Sequence, residues 1–171
     1  VKMPLDKGFE GLKIVVIGSS VALGHKAWLF RGWVWLLEQA LQQKYGHKVV
    51  NVSEAGVNVS KTIARFASVV TPEKPDVVII ALSLGNERLA YCPPQERKAI
   101  QRRFESGLQQ LVTMTRALGA RPILGGVYPN GDYSPEHYWL LKDTHNRMLN
   151  WGVPILDWLA AVDNGQGRWR E

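Results

Sequence analysis

The sequence predicts a three-layer α/β sandwich, with helices on both faces of a five-stranded parallel sheet. Three observations predict this fold. Apolar β-branched runs alternate with helical patterns, the connections between them are short, and 171 residues suffice for one full-sized core. Strand–helix–strand units connected in this way form parallel sheets with right-handed crossovers. Because no repeat or internal linker interrupts the pattern, we expect residues 1–171 to form a single domain.

Five short apolar runs are predicted as strands. The third run is the most apolar, and near-continuous hydrophobicity is typical of a central strand covered on both faces. The first run ends at Gly18, where the chain is expected to turn. The predicted strands are Leu12–Ile17, Lys48–Val52, Asp76–Leu82, Arg121–Val127 and Val153–Leu156.

Four longer segments carry apolar residues at helical spacing and are predicted as helices. Gly46 is expected to end the first helix, and Ser60 to cap the start of the second. Ser134 and Pro135 are expected to open the fourth. The tryptophans of the first helix are expected to belong to the core, with one exposed ring. The predicted helices are Lys26–Tyr45, Ser60–Val69, Gln95–Leu118 and residues 134–151.

Composition and charge exclude several classes of protein. With 46% hydrophobic and 21% charged residues, the chain is an ordinary globular sequence rather than a disordered tail. The net charge of +6 is spread along the chain, and its densest basic group, at positions 97–103, lies beside acidic residues. We therefore expect a solvated helix face and no nucleic-acid partner.

No apolar run is long enough to span a membrane, and residues 1–11 show no signal-peptide pattern. The single cysteine, Cys92, forms no internal disulfide, and no zinc-binding spacing is present. We accordingly expect no metal site.

Ligands of open parallel sheets bind at the carboxyl ends of the strands, so function is sought in the loops that follow them. The loop Gly18–His25 lacks the glycine spacing of a dinucleotide site and the Gly-Lys-Ser/Thr of a phosphate loop. It offers instead two hydroxyls, Ser19 and Ser20, at a strand-to-helix turn. A serine there suits an acyl-transfer nucleophile, and it equally suits a simple helix cap.

The next two loops each contain one candidate with two interpretations. Gly56 follows the second strand, either as a turn residue or as a backbone N–H that a substrate oxygen can approach. Asn86 follows the third strand, either as a tie within the loop or as an amide donor to an oxyanion.

Together, the Gly-x-Ser-x-x-x-Gly that contains Ser20, the glycine at position 56 and the Gly-Asn-Glu that contains Asn86 resemble the first three blocks of the SGNH (GDSL-like) hydrolase family. The order of the blocks and their placement after strands one to three also match. The resemblance implies a flavodoxin-like α/β/α fold with Ser20 as nucleophile. It also implies an oxyanion hole formed by the N–H groups of Ser20 and Gly56 and the amide of Asn86, with no cofactor.

The chain departs from the family pattern at several positions. Ser19 stands where the family has Asp, and Leu84 and Glu87 flank Asn86 differently from the usual Gly-x-Asn-Asp. No Asp-x-x-His follows Asp157, although the family carries its catalytic His and Asp in that motif. We expect the general base to lie downstream of Glu171 or on a second chain, and the domain to be truncated at its C-terminus.

The four histidines are the alternative bases. His137 is the best placed, on the turn after the fourth strand, and His25 opens the first helix near Ser20. His47 precedes the second strand, at the wrong edge of the sheet. His145 lies within the fourth helix, where helical geometry directs it away from Asp143.

The preferred function is a serine ester hydrolase acting on a small or carbohydrate-linked ester. The alternative is a non-catalytic or incomplete hydrolase-like binding domain, and a third interpretation is a flavin or nucleotide binder. Four aromatic residues around the fourth loop either line an acyl or sugar pocket or cover the end of the sheet. These are Tyr128, Tyr133, Tyr138 and Trp139. An uncovered apolar face predicts a homo-oligomer or a completing C-terminal segment.

Overall fold

The computed structural model describes residues 11–170 and contains a five-stranded, all-parallel sheet of order β2-β1-β3-β4-β5. The predicted strand count and direction are confirmed. Residues 1–10, which carry most of the segment without a signal-peptide pattern, lie outside the described residues. The strands are β1 Lys13–Gly18, β2 Lys48–Asn51, β3 Val77–Ala81, β4 Arg121–Gly125 and β5 Ile155–Leu156.

Helices cover both faces of the sheet, as expected. Residues from α3, α4 and α5 pack in the larger apolar cluster on one face, and α2 packs in a smaller cluster on the other. No described helix is both long and apolar enough to cross a membrane. The helices are α1 Ser20–Leu23, α2 Trp33–Tyr45, α3 Val59–Val69, α4 Arg97–Ala117, α5 Pro135–Met148 and α6 Trp158–Val162. Short 3₁₀ turns lie at Trp28–Phe30, Thr71–Glu73, Leu84–Glu87, Leu89–Tyr91 and Pro94–Glu96.

The central strands are buried on both faces because successive side chains of a strand point to opposite sides. In β1, Val15 packs in the larger cluster and Val16 in the smaller one. In β3, Ile80 and Ile79 divide in the same way, and every side chain of the strand is buried. The continuous apolar run of the third strand is therefore explained by its central place in the sheet.

The prediction of one helix from Lys26 to Tyr45 is wrong at its start, because α2 begins at Trp33. Lys26, Leu29 and Phe30 have positive φ angles, which a right-handed helix does not allow. The chain there forms a loop closed by the contact between Gly24 and Gly32.

The expectation of one exposed tryptophan ring in this region is also wrong. Trp28 and Trp35 are both exposed, and only Trp33 packs against the core.

Two predicted helix starts were tested by the structure. Ser60 does not cap α3, because Asn58 occupies the cap position and its side chain accepts a hydrogen bond from the Lys61 N–H at 2.9 Å. Ser134 does cap α5, where Pro135 is the first helical residue. The Ser134 side chain accepts from the N–H of His137, whose ring in turn accepts from the Ser134 N–H.

Helix α3 lies close to α4 because Gly107 has no side chain. A Cβ built on Gly107 would lie 2.3 Å from Cγ2 of Val59, the first residue of α3. We expect Gly107→Val to destabilise the fold by roughly 1–3 kcal/mol, because the interface would be overpacked. Urea unfolding measures this change. The matched control is Gly131→Val, since a Cβ at Gly131 meets nothing within 4 Å; equal losses in the two variants would contradict the packing argument.

Candidate active site

The first candidate residues lie where β1 turns sharply into α1. A Cβ on Gly18 would lie 2.5 Å from the carbonyl oxygen of Ala81, at the end of β3. Only glycine permits this approach, which brings the ends of β1 and β3 together. The N–H of Ser19 donates to the same Ala81 oxygen at 3.3 Å. These backbone contacts hold a loop in which Ser19 replaces the acidic residue of the family pattern.

Neither serine of the turn acts as a side-chain cap. Ser19 occupies the cap position of α1, but its side chain accepts no hydrogen bond from the helix. Ser20 is the first helical residue and is half-buried. Its N–H has no acceptor within α1, as is general for the first residues of a helix. The capping interpretation therefore does not describe this turn.

Gly56 lies on the loop after β2 with a φ of +71°, a conformation that favours glycine. It is exposed, a Cβ there would meet nothing within 4 Å, and its N–H donates to no acceptor among residues 11–170. The same loop is anchored to β1, because the Glu54 N–H donates to the Gly18 carbonyl at 3.1 Å. The Gly56 N–H is thus held near the turn of Ser20 and remains unused.

Asn86 lies on the 3₁₀ turn after β3, and its side chain ties two loops together. Its Nδ2 donates to the carbonyl of Val57 at 2.9 Å, which fixes the residue next to Gly56. An amide nitrogen carries two hydrogens, so one remains free after this contact. The two interpretations of Asn86, as a tie and as a donor, are compatible.

Glu87 also ties the turn after β3 to the start of α3, a role that was not predicted from the sequence. Its side chain is fully buried, and Oε1 accepts from the N–H of Val59 at 2.6 Å. Burial raises the pKa of the Glu87 carboxyl, and the hydrogen bond from Val59 and the charge of Arg103, 3.8 Å away, oppose this increase. The start of α3, and with it the Gly56 loop, is thereby attached to the turn of Asn86.

The three predicted residues therefore follow three neighbouring strands. Ser20 follows β1 in the middle, with Gly56 after β2 on one side and Asn86 after β3 on the other. Hydrogen bonds join each of these loops to the next. The loop that carries Ser20 thus lies between the loops that carry an unused backbone N–H and an unused amide hydrogen.

An apolar pocket of about 170 Å³ opens beside this turn. Val21, the residue after Ser20, forms one wall. The edge of the Trp33 ring meets Trp158 at a centroid distance of 5.0 Å, and Tyr128 lies 6.0 Å from Trp158. The lining residues are Val21, Trp33, Tyr128, Trp158, Val162 and Trp169.

Of the four aromatic residues expected around the fourth loop, Tyr128 alone lines this pocket. Burial raises the pKa of the Tyr128 hydroxyl, and its interactions with Ser83 and Ser19 oppose the increase. Tyr133 is buried, Tyr138 bonds to Asp163, and Trp139 is exposed. The three tryptophans of the pocket were not predicted as lining residues, because they come from separate segments of the chain.

Two of the four histidines lie at the ends of helices or strands. His47 is buried, and its Nδ1 accepts from the Leu12 N–H at 3.2 Å, at the amino end of β1. It lies at the opposite edge from Ser20, as the sequence analysis expected. His25 is exposed directly after α1, where its backbone N–H donates to the Ser20 carbonyl at 2.9 Å.

The other two histidines lie on α5 and have structural partners. The ring of His137 belongs to the capping box of α5, and burial, followed by the charge of Arg97, lowers its pKa. His145 Nε2 lies 3.5 Å from Oδ1 of Asp157, while Asp143 bonds to Gln101 and Arg147. The pairing of His145 with Asp157 was not predicted. Neither His137 nor His145 lines the pocket beside Ser20.

Known proteins resemble this chain in sequence and in fold. The esterase TesA of Pseudomonas aeruginosa is 29% identical over 125 residues, which make up 72% of this chain and 58% of that protein. The chain thus spans less than two thirds of the length of this relative.

Two solved structures share the fold at low sequence identity. A putative lipolytic protein of the G-D-S-L family from Desulfitobacterium hafniense superposes with a TM-score of 0.75 at 20% identity, over 94% of this chain and 85% of that one. A catalytic mutant of the acetylxylan esterase Axe2 from Geobacillus stearothermophilus superposes with a TM-score of 0.62 at 20% identity, over 94% and 88% of the two chains.

The family itself follows from a match over nearly the whole chain. The sequence pattern of the GDSL-like lipase/acylhydrolase family matches residues 16–171, which include all three blocks around Ser20, Gly56 and Asn86. The chain belongs to the GDSL-like lipase/acylhydrolase family.

Proposed function

We propose that this protein is a serine ester hydrolase in which Ser20 attacks the carbonyl carbon of the ester. The observation that supports the proposal is the strand order, which puts the loop of Ser20 between the loop of Gly56, whose N–H is free, and the turn of Asn86, whose amide keeps one free hydrogen. Attack by Oγ forms a carbon–oxygen bond and moves negative charge onto the carbonyl oxygen. Collapse of this intermediate expels the alcohol and leaves an acyl-enzyme, which water then hydrolyses.

The oxyanion is stabilised by donors that are in place before the reaction. The backbone N–H groups of Ser20 and Gly56 and the Nδ2 of Asn86 are the three donors. Asn86 is held by Val57 and Gly56 by its loop contacts, so little reorganisation is needed when charge develops.

The proton of Ser20 requires a base, and we propose that a segment downstream of Glu171 or a second chain supplies it, rather than the exposed His25 directly after α1. His47 lies at the far edge of the sheet, and the ring of His137 caps α5. His145 pairs with Asp157 away from the pocket. A His–Asp pair from another segment would accept the proton and return it to the leaving alcohol.

The apolar pocket beside Ser20 is the proposed site for the acyl group. Aromatic rings and valines line it, which suits a hydrocarbon chain better than a hydroxyl-rich sugar. The alcohol part of the ester would then extend toward solvent on the side of Gly56, which is exposed. A small ester or a carbohydrate-linked ester fits this arrangement.

The second candidate function is a non-catalytic binding domain. The observation that favours it is the position of His47, His137 and His145, none of which reaches the pocket beside Ser20. In that case the pocket would bind an apolar ligand without chemistry at Ser20, and Ser20→Ala would bind it equally well.

Replacing Ser20 distinguishes these two functions. We expect Ser20→Ala to lower the hydrolysis of p-nitrophenyl acetate by roughly 10⁴-fold or more in the full natural chain, because the nucleophile is lost. Ser60→Ala, at an exposed serine of α3, is the matched control and should keep full activity. Equal rates in the wild type and Ser20→Ala would contradict the proposed nucleophile.

Replacing Asn86 tests the oxyanion donor separately from the loop tie. We expect Asn86→Ala to lower kcat by about 10²–10³-fold with little change in KM, because the donor acts mainly in the transition state. Loss of its bond to Val57 should also cost about 1 kcal/mol of folding stability.

The matched control for Asn86 is Asn58→Ala, which removes the cap of α3 on the same loop at a similar cost of about 1 kcal/mol. This variant loosens the loop without removing a proposed donor, so its kcat should fall far less. A similar loss of kcat in both variants would show that Asn86 acts only by holding the loop.

A further inference from the structure

A largely exposed loop follows α1, and we call residues 25–31 the aromatic loop. Its two ends meet, because a Cβ on Gly32 would lie 2.6 Å from the Cα of Gly24. Backbone hydrogen bonds from Ala27 to Gly24 and from Arg31 to Trp28, of 2.9 and 3.0 Å, close turns within it. The loop is therefore a defined protrusion with a narrow neck.

The tip of the aromatic loop consists of three consecutive large apolar side chains that are exposed to solvent. Trp28, Leu29 and Phe30 are 74%, 62% and 67% exposed. Leu29 and Phe30 also have φ angles of 50° and 56°, a left-handed conformation that is unfavourable for side chains of this size. Contiguous exposed apolar groups of this kind mark surfaces that bind a partner or a membrane.

Further exposed apolar residues lie before and after the aromatic loop in the sequence. The guanidinium of Arg31 lies 5.2 Å from the Trp28 ring and 5.0 Å from the Trp35 ring, which connects the loop to the exposed side of α2. Val21, four residues before the aromatic loop, is also exposed, and it forms a wall of the pocket beside Ser20. Exposed apolar residues therefore occur both in the aromatic loop and at the proposed acyl site.

The charge around the aromatic loop indicates what covers it. No acidic residue occurs between Gly11 and Leu37, whereas Lys26 and Arg31 belong to the loop and are exposed. The whole chain carries a net charge of +6. Tryptophan, phenylalanine and leucine beside basic residues are typical of segments that lie in a membrane interface, where the cations meet anionic headgroups.

We propose that the aromatic loop docks this protein on an anionic lipid surface, with Trp28, Leu29 and Phe30 entering the interface and Lys26 and Arg31 contacting the headgroups. A sugar polymer fits less well, because of the three side chains at the tip only Trp28 carries a hydrogen-bonding group. The proposal goes beyond ester hydrolysis, since docking does not require that Ser20 react.

Sedimentation with lipid vesicles tests the docking. Wild-type protein should bind phosphatidylcholine vesicles that contain phosphatidylglycerol and should bind pure phosphatidylcholine vesicles more weakly. The double variant Trp28→Ala/Phe30→Ala should bind at least about tenfold more weakly, because each buried large apolar side chain is worth that factor or more. Lys26→Gln should weaken binding about fivefold on the anionic vesicles alone.

Two controls separate docking from other effects. Trp139→Ala removes an exposed tryptophan on α5, at 58% exposure, and should bind as the wild type does. Ser20→Ala should also bind as the wild type does, whether or not it hydrolyses p-nitrophenyl acetate, so that failure of docking and failure of the hydrolase proposal are distinct results.

Three results would overturn the docking proposal. The first is a wild type that does not sediment with anionic vesicles. The second is a double variant that binds as tightly as the wild type, and the third is a Trp139→Ala variant that binds as weakly as the double variant. Light scattering without lipid adds a further test: a dimer that Trp28→Ala/Phe30→Ala dissociates, together with no vesicle binding, would assign the aromatic loop to contact between two copies of the chain.

Discussion

The contact of Gly18 with the Ala81 carbonyl is the constraint on which the site depends. The missing side chain lets the ends of β1 and β3 approach, and the Ser19 N–H then bonds to the same oxygen. The chain must leave the sheet at this point, so Ser20 begins a helix at the carboxyl edge. Any larger residue at position 18 would push apart the ends of β1 and β3, which lead into the loops of Ser20 and Asn86.

Polar contacts between loops then fix the relative positions of the proposed donors. Asn86 binds Val57, and Glu87 binds Val59, so two adjacent residues of one turn hold both ends of a short segment. The buried carboxyl of Glu87 has a raised pKa, which reflects the cost of placing an acid there. The contacts of Asn86 and Glu87 position the loop of Gly56 without using Gly56 itself, so its N–H remains available.

Two apolar features adjoin Ser20 and serve different proposed purposes. The pocket encloses about 170 Å³ beside the packed rings of Trp33 and Trp158, and we propose that it holds one acyl group. The aromatic loop instead points its side chains outward from a closed neck. Val21 lines the pocket and precedes the aromatic loop by four residues, so the two features are close along the chain.

Much of the fold could be predicted from the sequence because its signals are local. Apolar runs and their spacing indicated five parallel strands, and Ser134-Pro135 indicated the start of α5. The start of α2 was predicted wrongly because helical spacing continues through residues 26–32. The contact between two backbones, at Gly24 and Gly32, prevents the helix, and such a contact leaves no periodic signal.

The sequence by itself determined the fold class, the family and the three loops in which Ser20, Gly56 and Asn86 lie. These features depend on apolar runs and short motifs, which are local in the sequence. The tertiary structure alone decided which hydrogen atoms remain free and which histidines are already engaged. It also decided that Trp33, Trp158 and Trp169 surround one pocket while Trp28 faces water. These features depend on contacts between residues far apart in the chain, which composition and periodicity do not encode.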